Sequence, residues 1–374
     1  MSKIKKELKT PLPKQLTPKE LTPKRRTLRQ RWNRFYWGPK VQRLRLFKSH
    51  LLYLPIDLRY RLGVVYRTTR YRISRARGFR LGHLFQYEPR PRITLRPFVP
   101  HLNVARLPSI ALVTPSFEQA AYLENTLQSV ITQNYPKLHY FVQDGNSQDG
   151  SLAILKKYQS DLLGYESSPD GGQSNAINLG FQKTPGEIMG WLNSDDVLMP
   201  GALHAVGHYF AKHPKVDVIY GNRLIINELG EQVGHWVLPA HEGGILSWVD
   251  FVPQETLFWR RSLWEKVGGG IDESFRFAMD WELILRFREA GAKFTHLPQF
   301  LACFRVHSQQ KTSTMIAKQG RVEMDLLRQR HLGYVPSDEQ IYENILPYLK
   351  RHRRAEIAWR LEELGLSRRT KADK

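Results

Sequence analysis

The sequence predicts an α/β fold: a mainly parallel sheet with helices on both faces, preceded by a basic extension and followed by charged helices. Three observations point there. Short apolar runs alternate with stretches of helical period between residues 110 and 221. The first, second and fourth of these runs end in polar or acidic clusters. The excess positive charge sits at one end: residues 1–100 hold 27 Lys+Arg against 4 Asp+Glu, whereas residues 101–374 hold 30 against 31.

Taken in order, residues 1–30 are rich in Pro, Thr and Lys and lack a hydrophobic period, so they are expected to be a disordered basic tail. From 31 to about 87, arginines alternate with aromatic and aliphatic residues such as Trp32, Tyr36, Leu51, Tyr60 and Val64, a basic amphipathic pattern. EPRPRITLRPFVP (88–100) reads as an extended linker, because prolines lack the backbone donor and bias their predecessors away from helix. IALVT (110–114), LHYFVQ (138–143), LLGYES (162–167), EIMGWLN (187–193) and VDVIYG (216–221) read as strands. AYLENTLQSVITQ (121–133), SLAILKKY (151–158), QSNAINLGF (173–181) and the segment opened by Pro200 read as the helices between them. After Gly221 the alternation lapses into loops and Trp-rich segments, with a helix near 280–290 and charged helices over 314–368.

Cys303 is the one cysteine, which excludes a disulfide framework or thiolate cluster within the chain and fits a reducing, cytoplasmic setting. The start carries no apolar signal-peptide core, and no uninterrupted apolar stretch approaches the roughly 20 residues that span a bilayer. The expectation is a cytoplasmic protein, soluble or peripheral on the inner face of the membrane.

The strand tips carry the chemistry. They read Thr114-Pro115-Ser116-Phe117-Glu118, then Asp144-Gly145-Asn146-Ser147-Gln148-Asp149-Gly150, then Asn193-Ser194-Asp195-Asp196. A parallel sheet gathers such tips at one edge, where ligands of open α/β sheets bind. Clustered carboxylates repel unless a cation lies among them, and Mg2+ or Mn2+ takes oxygen ligands and substrate phosphates. Each cluster also has a local explanation. DGNSQDG is turn chemistry, and NSDD can cap the helix near Pro200.

The order of motifs resembles family 2 glycosyltransferases of the GT-A fold, a Rossmann-like architecture. The likeness runs from about Ile110 to Ser313: TPSFEQAAYLENTLQSVITQNYP, QDGNSQDGS, SSPDGGQSNAINLGF, GEIMGWLNSDDVLMPGAL, VIYGN, QETLFWRR, GGGIDESFRFAMDWELILR and FRVHSQQKTS. It implies a transferase domain over 101–313, with a nucleotide-sugar half (108–221) and an acceptor half (222–313), and a C-terminal helical region over 314–374. It implies that Thr114, Pro115, Ser116 and Glu118 line the nucleotide pocket, that Asp144 meets the base, and that Asp170, Gly172 and Gln173 border nucleotide and sugar. WLNSDD resembles the metal-binding aspartate motif, with Asn193 in its first position, Asp195 as primary ligand and Asp196 nearby. His307 and Lys311 would meet the metal or the diphosphate, and Gln254 and Glu255 would border the acceptor.

Inverting transfer needs a base for the acceptor hydroxyl. Asp280 matches the family's aspartate at a helix start, with an N-cap as its local alternative; Glu282 is the other candidate. Trp259, Trp264 and Trp281 read as sugar platforms or as core. QETLFWRR differs from the Gln-X-X-Arg-Trp signature of processive relatives, so single addition is expected.

The implied function is transfer from a nucleotide-diphosphate sugar, uridine-linked by default, to a sugar or lipid-linked saccharide in cell-surface polysaccharide or glycolipid synthesis. For the basic extension the readings rank as an anionic membrane surface, an inert tail, then nucleic acid. Two alternatives stand beside the whole: a non-catalytic membrane- or nucleic-acid-binding protein on a degenerate transferase domain, and a nucleotidyltransferase, for which no basic Gly-rich loop follows the first strand.

Overall fold

The computed structural model describes residues 86–92, 104–308, 310 and 316–363. The basic tail, nearly all of the amphipathic extension, and Lys311 lie outside the described residues. All the described residues belong to one compact unit, Arg67–Lys374.

The chain runs β1 (Ile110–Ser116), α1 (Ala120–Ile131), β2 (Leu138–Asp144), α2 (Ser151–Lys157), β3 (Gly164–Ser167), α3 (Gln173–Lys183), β4 (Ile188–Trp191), β5 (Val197–Leu198) and α4 (Ala202–Lys212). It continues with β6 (Val218–Ile226), β7 (Gln232–Trp236), β8 (Phe258–Arg260), α5 (Arg261–Lys266), α6 (Met279–Glu289), β9 (Phe294–Arg305), α7 (Arg321–Leu332) and α8 (Asp338–Glu363). The sheet order is β3-β2-β1-β4-β8-β6-β9-β5, with β7 paired to β6. β1 is parallel to β2 and β4, β2 to β3, and β6 to β9. β8 enters antiparallel between β4 and β6.

The pleat sorts β1 onto two cores. Ala111 and Val113 face Ile177 and Phe181 of α3 and Leu283, Ile284 and Phe287 of α6. Ile110 and Leu112 face Leu123, Leu127 and Val130 of α1 and Leu203, Val206 and Phe210 of α4. Alternate side chains of a strand point to opposite faces, so one apolar run serves both layers. Two helical glycines set the spacing. A Cβ at Gly180 would overlap Val113, and one at Gly207 would overlap Tyr135.

The lapse read after Gly221 resolves into strands. β6 continues to Ile226, fully buried, and β7 and β8 meet it antiparallel. No α-helix separates β6, β7 and β8, so the βα rhythm is absent although the sheet goes on. The start of the segment read as a linker joins the sheet: the Tyr87 amide donates to the Val233 carbonyl at 2.7 Å, and Arg90 pairs with Gln232. α7 and α8 join the first core through Leu327, Ile341, Ile345 and Tyr348. Trp259, Trp264 and Trp281 lie in that core as well, with the Trp281 indole donating to the Leu246 carbonyl at 2.8 Å. Among the described residues no helix is long and apolar enough to cross a membrane.

Candidate active site

The β1 and β2 tips are stitched together by their own polar groups. The Gly145 amide donates to the Ser116 carbonyl at 2.8 Å. Asp144 is 0% exposed, and its carboxylate accepts from the Ser147 amide at 2.9 Å, the Ser147 hydroxyl at 2.6 Å and the Ser167 hydroxyl at 2.6 Å. The turn reading of DGNSQDG is thus realised: Asp144 orders the loop. Glu118, at φ 52°, donates its amide to Ser147 Oγ at 2.8 Å and accepts the Gln148 amide on Oε1 at 2.8 Å. Thr114 departs from the expected pocket-lining role: it is fully buried, 3.0 Å from Tyr140 Oη. Ser116 Oγ is buried with no partner. Phe117, 63% exposed, places its ring beside Gly145, and Asp170 approaches the same glycine. Asp170 Oδ1 accepts the Gly172 amide at 2.7 Å, just ahead of α3.

The β4 turn is pinned from below. Thr126 Oγ1 of α1 lies 2.8 Å from the Ser194 carbonyl and 2.7 Å from that of Asp196. Arg305 donates its amide to Asp196 Oδ1 at 3.0 Å and its Nε to the Asp195 carbonyl at 2.8 Å. Asp195 Oδ2 lies 3.0 Å from His307 Nε2, and the His307 ring packs on Tyr122 at 4.9 Å. Asn193 accepts from Gln173 Nε2 at 2.7 Å and donates to Gln254 Oε1 at 3.1 Å, which ties the start of α3 to the turn before β8.

Beyond this turn, Arg223 pairs with one carboxylate, Glu255, and its charge also acts on Asp196, Asp250 and Asp280. Arg223 of β6 donates to Glu255 Oε2 at 2.7 Å, with both side chains buried. Its guanidinium stacks on Trp236 at 4.5 Å and Phe304 at 4.7 Å. The second Glu255 oxygen is buried with no partner. Asp280, in the first turn of α6, is half-buried and accepts the Trp281 amide on Oδ1 at 2.9 Å. Burial pushes its carboxyl up to about 6, against the pull of backbone amides and Arg223. Burial, then the charge of Asp280, pushes Asp250 well above the usual carboxylate range. Burial, then Asp195 and Glu255, does the same to Asp196.

Glu282 stands apart from this cluster. Arg286 grips it with Nε at 2.9 and 3.0 Å and Nη2 at 2.9 Å, while also donating to the Val267 and Gly270 carbonyls. The expectation that Glu282 serves substrate is therefore corrected: its carboxylate is spent on a buried structural ion pair. The turn leading into α6 is held from outside. Glu323 of α7 accepts the amides of Arg276, Phe277 and Ala278 at 2.9, 2.8 and 2.8 Å. Burial opposes ionisation of Glu323, yet these bonds hold its carboxyl below the ordinary range.

Asp195 and His307 are adjacent oxygen and nitrogen donors, and they suit a hard cation completed by water and phosphate. Asp196 does not fit that role. It is 1% exposed and held by the Arg305 amide, so it anchors the turn to β9. Among the described residues no group of three or more His, Cys, Asp or Glu side chains is disposed to hold a metal. A depression of about 630 Å3 at the opposite edge is lined by Ser109, His139, Glu187, Arg260, Arg261 and Glu265. Its arginines are consumed by main-chain carbonyls. Sequence reasoning missed Phe117, Arg223, Asp250 and Glu323. An exposed aromatic at a strand tip was a legible signal for the first; the others gain meaning only from distant partners.

The model of glycosyl transferase family 2 matches residues 111–284. Over 202 residues the chain is 30% identical to the O-antigen biosynthesis protein RfbC of Myxococcus xanthus, a match covering 53% of this chain and 16% of that protein. Over 185 residues it is 31% identical to an uncharacterized glycosyltransferase of Mycobacterium tuberculosis, covering 48% of this chain and 68% of the relative. The chain thus spans a minor part of the first relative and about two thirds of the second. Among solved structures, S. aureus TarS 1-349 in complex with UDP-GlcNAc aligns with TM-score 0.50 and 18% identity over 65% of this chain and 72% of that 1-349 chain, a likeness of fold.

Proposed function

We propose, from the premise that this chain belongs to glycosyl transferase family 2 and is a glycosyltransferase, that it moves a sugar from a nucleotide-diphosphate donor, uridine-linked, to an acceptor hydroxyl with inversion. The acceptor we infer is a sugar or lipid-linked saccharide of the cell surface, in keeping with the O-antigen relative. The observation that carries the reading is the half-buried Asp280 beside Glu255, Asp250 and Arg223, joined through Gln254 and Asn193 to the acidic turn after β4.

On this reading Asp280 removes the proton from the acceptor hydroxyl as that oxygen attacks the anomeric carbon. A carboxyl raised to about 6 is a stronger base than an ordinary aspartate and is still ionised at neutral pH. Arg223 partly offsets the negative field around it. The exposed Phe117 ring offers a face for the nucleobase, next to the loop that Asp144 orders. A divalent cation, when bound, would neutralise the leaving diphosphate, and Asp195 and His307 would hold it. Asp170, Gly172 and Gln173 would border the donor sugar, with Gln254 and Glu255 on the acceptor side.

A non-catalytic protein on a degenerate domain is not favoured. Several carboxylates within the field of one arginine cost stability, and such perturbed groups cluster where chemistry uses them. The test is a panel of UDP-, dTDP- and GDP-hexoses with Mn2+. Saturable binding and slow hydrolysis of one donor are expected, and a panel with neither would overturn the proposal.

A further inference from the structure

A directed row of amides crosses the site. Gln254 Nε2 donates to the Trp191 carbonyl at 2.9 Å. Gln254 Oε1 accepts from Asn193 Nδ2 at 3.1 Å, and the same nitrogen lies 3.4 Å from Asp196 Oδ2. Asn193 Oδ1 accepts from Gln173 Nε2 at 2.7 Å. The direction follows from chemistry. A backbone carbonyl can only accept, so Gln254 must turn its amino group to Trp191 and its oxygen to Asn193. Asn193 must then donate toward Gln254 and accept from Gln173. Trp191 is buried at the end of β4, so the sheet itself sets the polarity of the row.

The row has one end on each half of the site. Gln173 opens α3 directly after Gly172, whose amide Asp170 holds. Gln254 opens the turn that presents Glu255 to Arg223. We propose that Asn193 is a positioning residue that couples these halves, and that its place requires a side chain able to donate and accept at once. The inference rests on the transferase reading above.

An aspartate here would keep an oxygen for Gln173 but turn its other oxygen on Gln254 Oε1, which can only accept, and would add a carboxylate beside that of Asp196. Flipping Gln254 would only move the clash, setting its oxygen against the Trp191 carbonyl. No rotamer of the row satisfies every partner, and an unsatisfied polar group shielded from water is costly. If position 193 were instead a metal-ligand position, a carboxylate would improve it.

The two ideas predict opposite results for Asn193→Asp in the full chain. The probes are the UDP-hexose that the wild type hydrolyses fastest, and Mn2+. We expect calorimetric donor affinity to stay within about threefold, kcat to fall at least tenfold, and the Mn2+ concentration for half-maximal rate not to decrease. Asn193→Leu removes the row without adding charge and carries the same expectation for kcat, which covers the case in which the charged variant does not fold. A wild-type-like kcat in either variant, or tighter Mn2+ activation in Asn193→Asp, would overturn the assignment while leaving the transferase reading standing. A wild type that neither binds nor hydrolyses any donor would instead sink that reading, and this one with it.

Discussion

Asp280 carries the sharpest consequence for a single residue. Its carboxyl in the folded chain titrates at about 6, whereas an unperturbed aspartate titrates near 3.9. A base works when ionised, so transfer should rise with pH through about 6 and be lost below it. The sign for stability is the reverse. The folded state holds this proton more tightly than the unfolded chain, so its ionisation removes stability as pH climbs from about 4 to about 6. Asp280→Asn keeps an acceptor for the Trp281 amide and carries no charge. It should bind donor normally, lose transfer by at least a hundredfold, and be more stable than the parent at pH 8 by on the order of 1–3 kcal/mol. Denaturant melts at pH 8 and pH 4 would check this, since the advantage must shrink in acid. Near-normal turnover would show that Asp280 is not the base. Its candidacy was legible in the sequence as an acid at a helix start; the exclusion of Glu282 was not, because the Arg286 clamp exists only in the folded helix.

Among elements, the junction of α6 with α7 decides how Asp280, the proposed base, is held. A helix leaves its first amides without internal partners, and a carboxylate there satisfies them and suits the helix dipole. The N-cap residue Ala278 offers no side-chain cap; Asp280 takes the Trp281 amide, and Glu323, more than forty positions later, accepts the three consecutive amides that lead into the helix and end at that of Ala278. Glu323→Gln retains the shape but offers one acceptor oxygen and no charge. It should cost about 1–3 kcal/mol of stability and lower kcat roughly tenfold with donor affinity unchanged, as measured by melting, calorimetry and initial rates. Equal losses in kcat and donor affinity would mean a general structural defect. This cap lies outside the 111–284 span that the family shares. Motif reading could not find it, because the sequence places Glu323 in a charged helix with nothing to mark its partner.

Across the whole molecule, charge is divided between the two ends of the chain. The first hundred residues carry the whole excess of the net +22, while the remainder is close to neutral. We propose that the extension holds the enzyme at an anionic membrane, where each basic residue near the surface contributes about 1 kcal/mol. A deletion ending at residue 85 is the right one, because Tyr87 and Arg90 pair with β7 and belong to the sheet. The full chain should float with vesicles containing phosphatidylglycerol, and float less as salt rises; the deleted chain should stay at the bottom and keep donor hydrolysis. Equal flotation of both would refute a membrane role for the extension.

The sequence by itself determined the order of strands and helices from 110 to 221, apart from the two-residue β5, together with the acidic tips. Those are local matters of apolar period and turn chemistry, written in consecutive residues. Only the tertiary structure decided which carboxylates face the site and which are spent on scaffolding. Asp196 on the Arg305 amide, Glu282 on Arg286 and Glu323 on α6 are each defined by a partner. It also decided how the strands after Gly221 enter the sheet, since antiparallel entry leaves no helical rhythm to read. A carboxylate's role depends on its burial and its donors, and folding brings those together from distant parts of the chain.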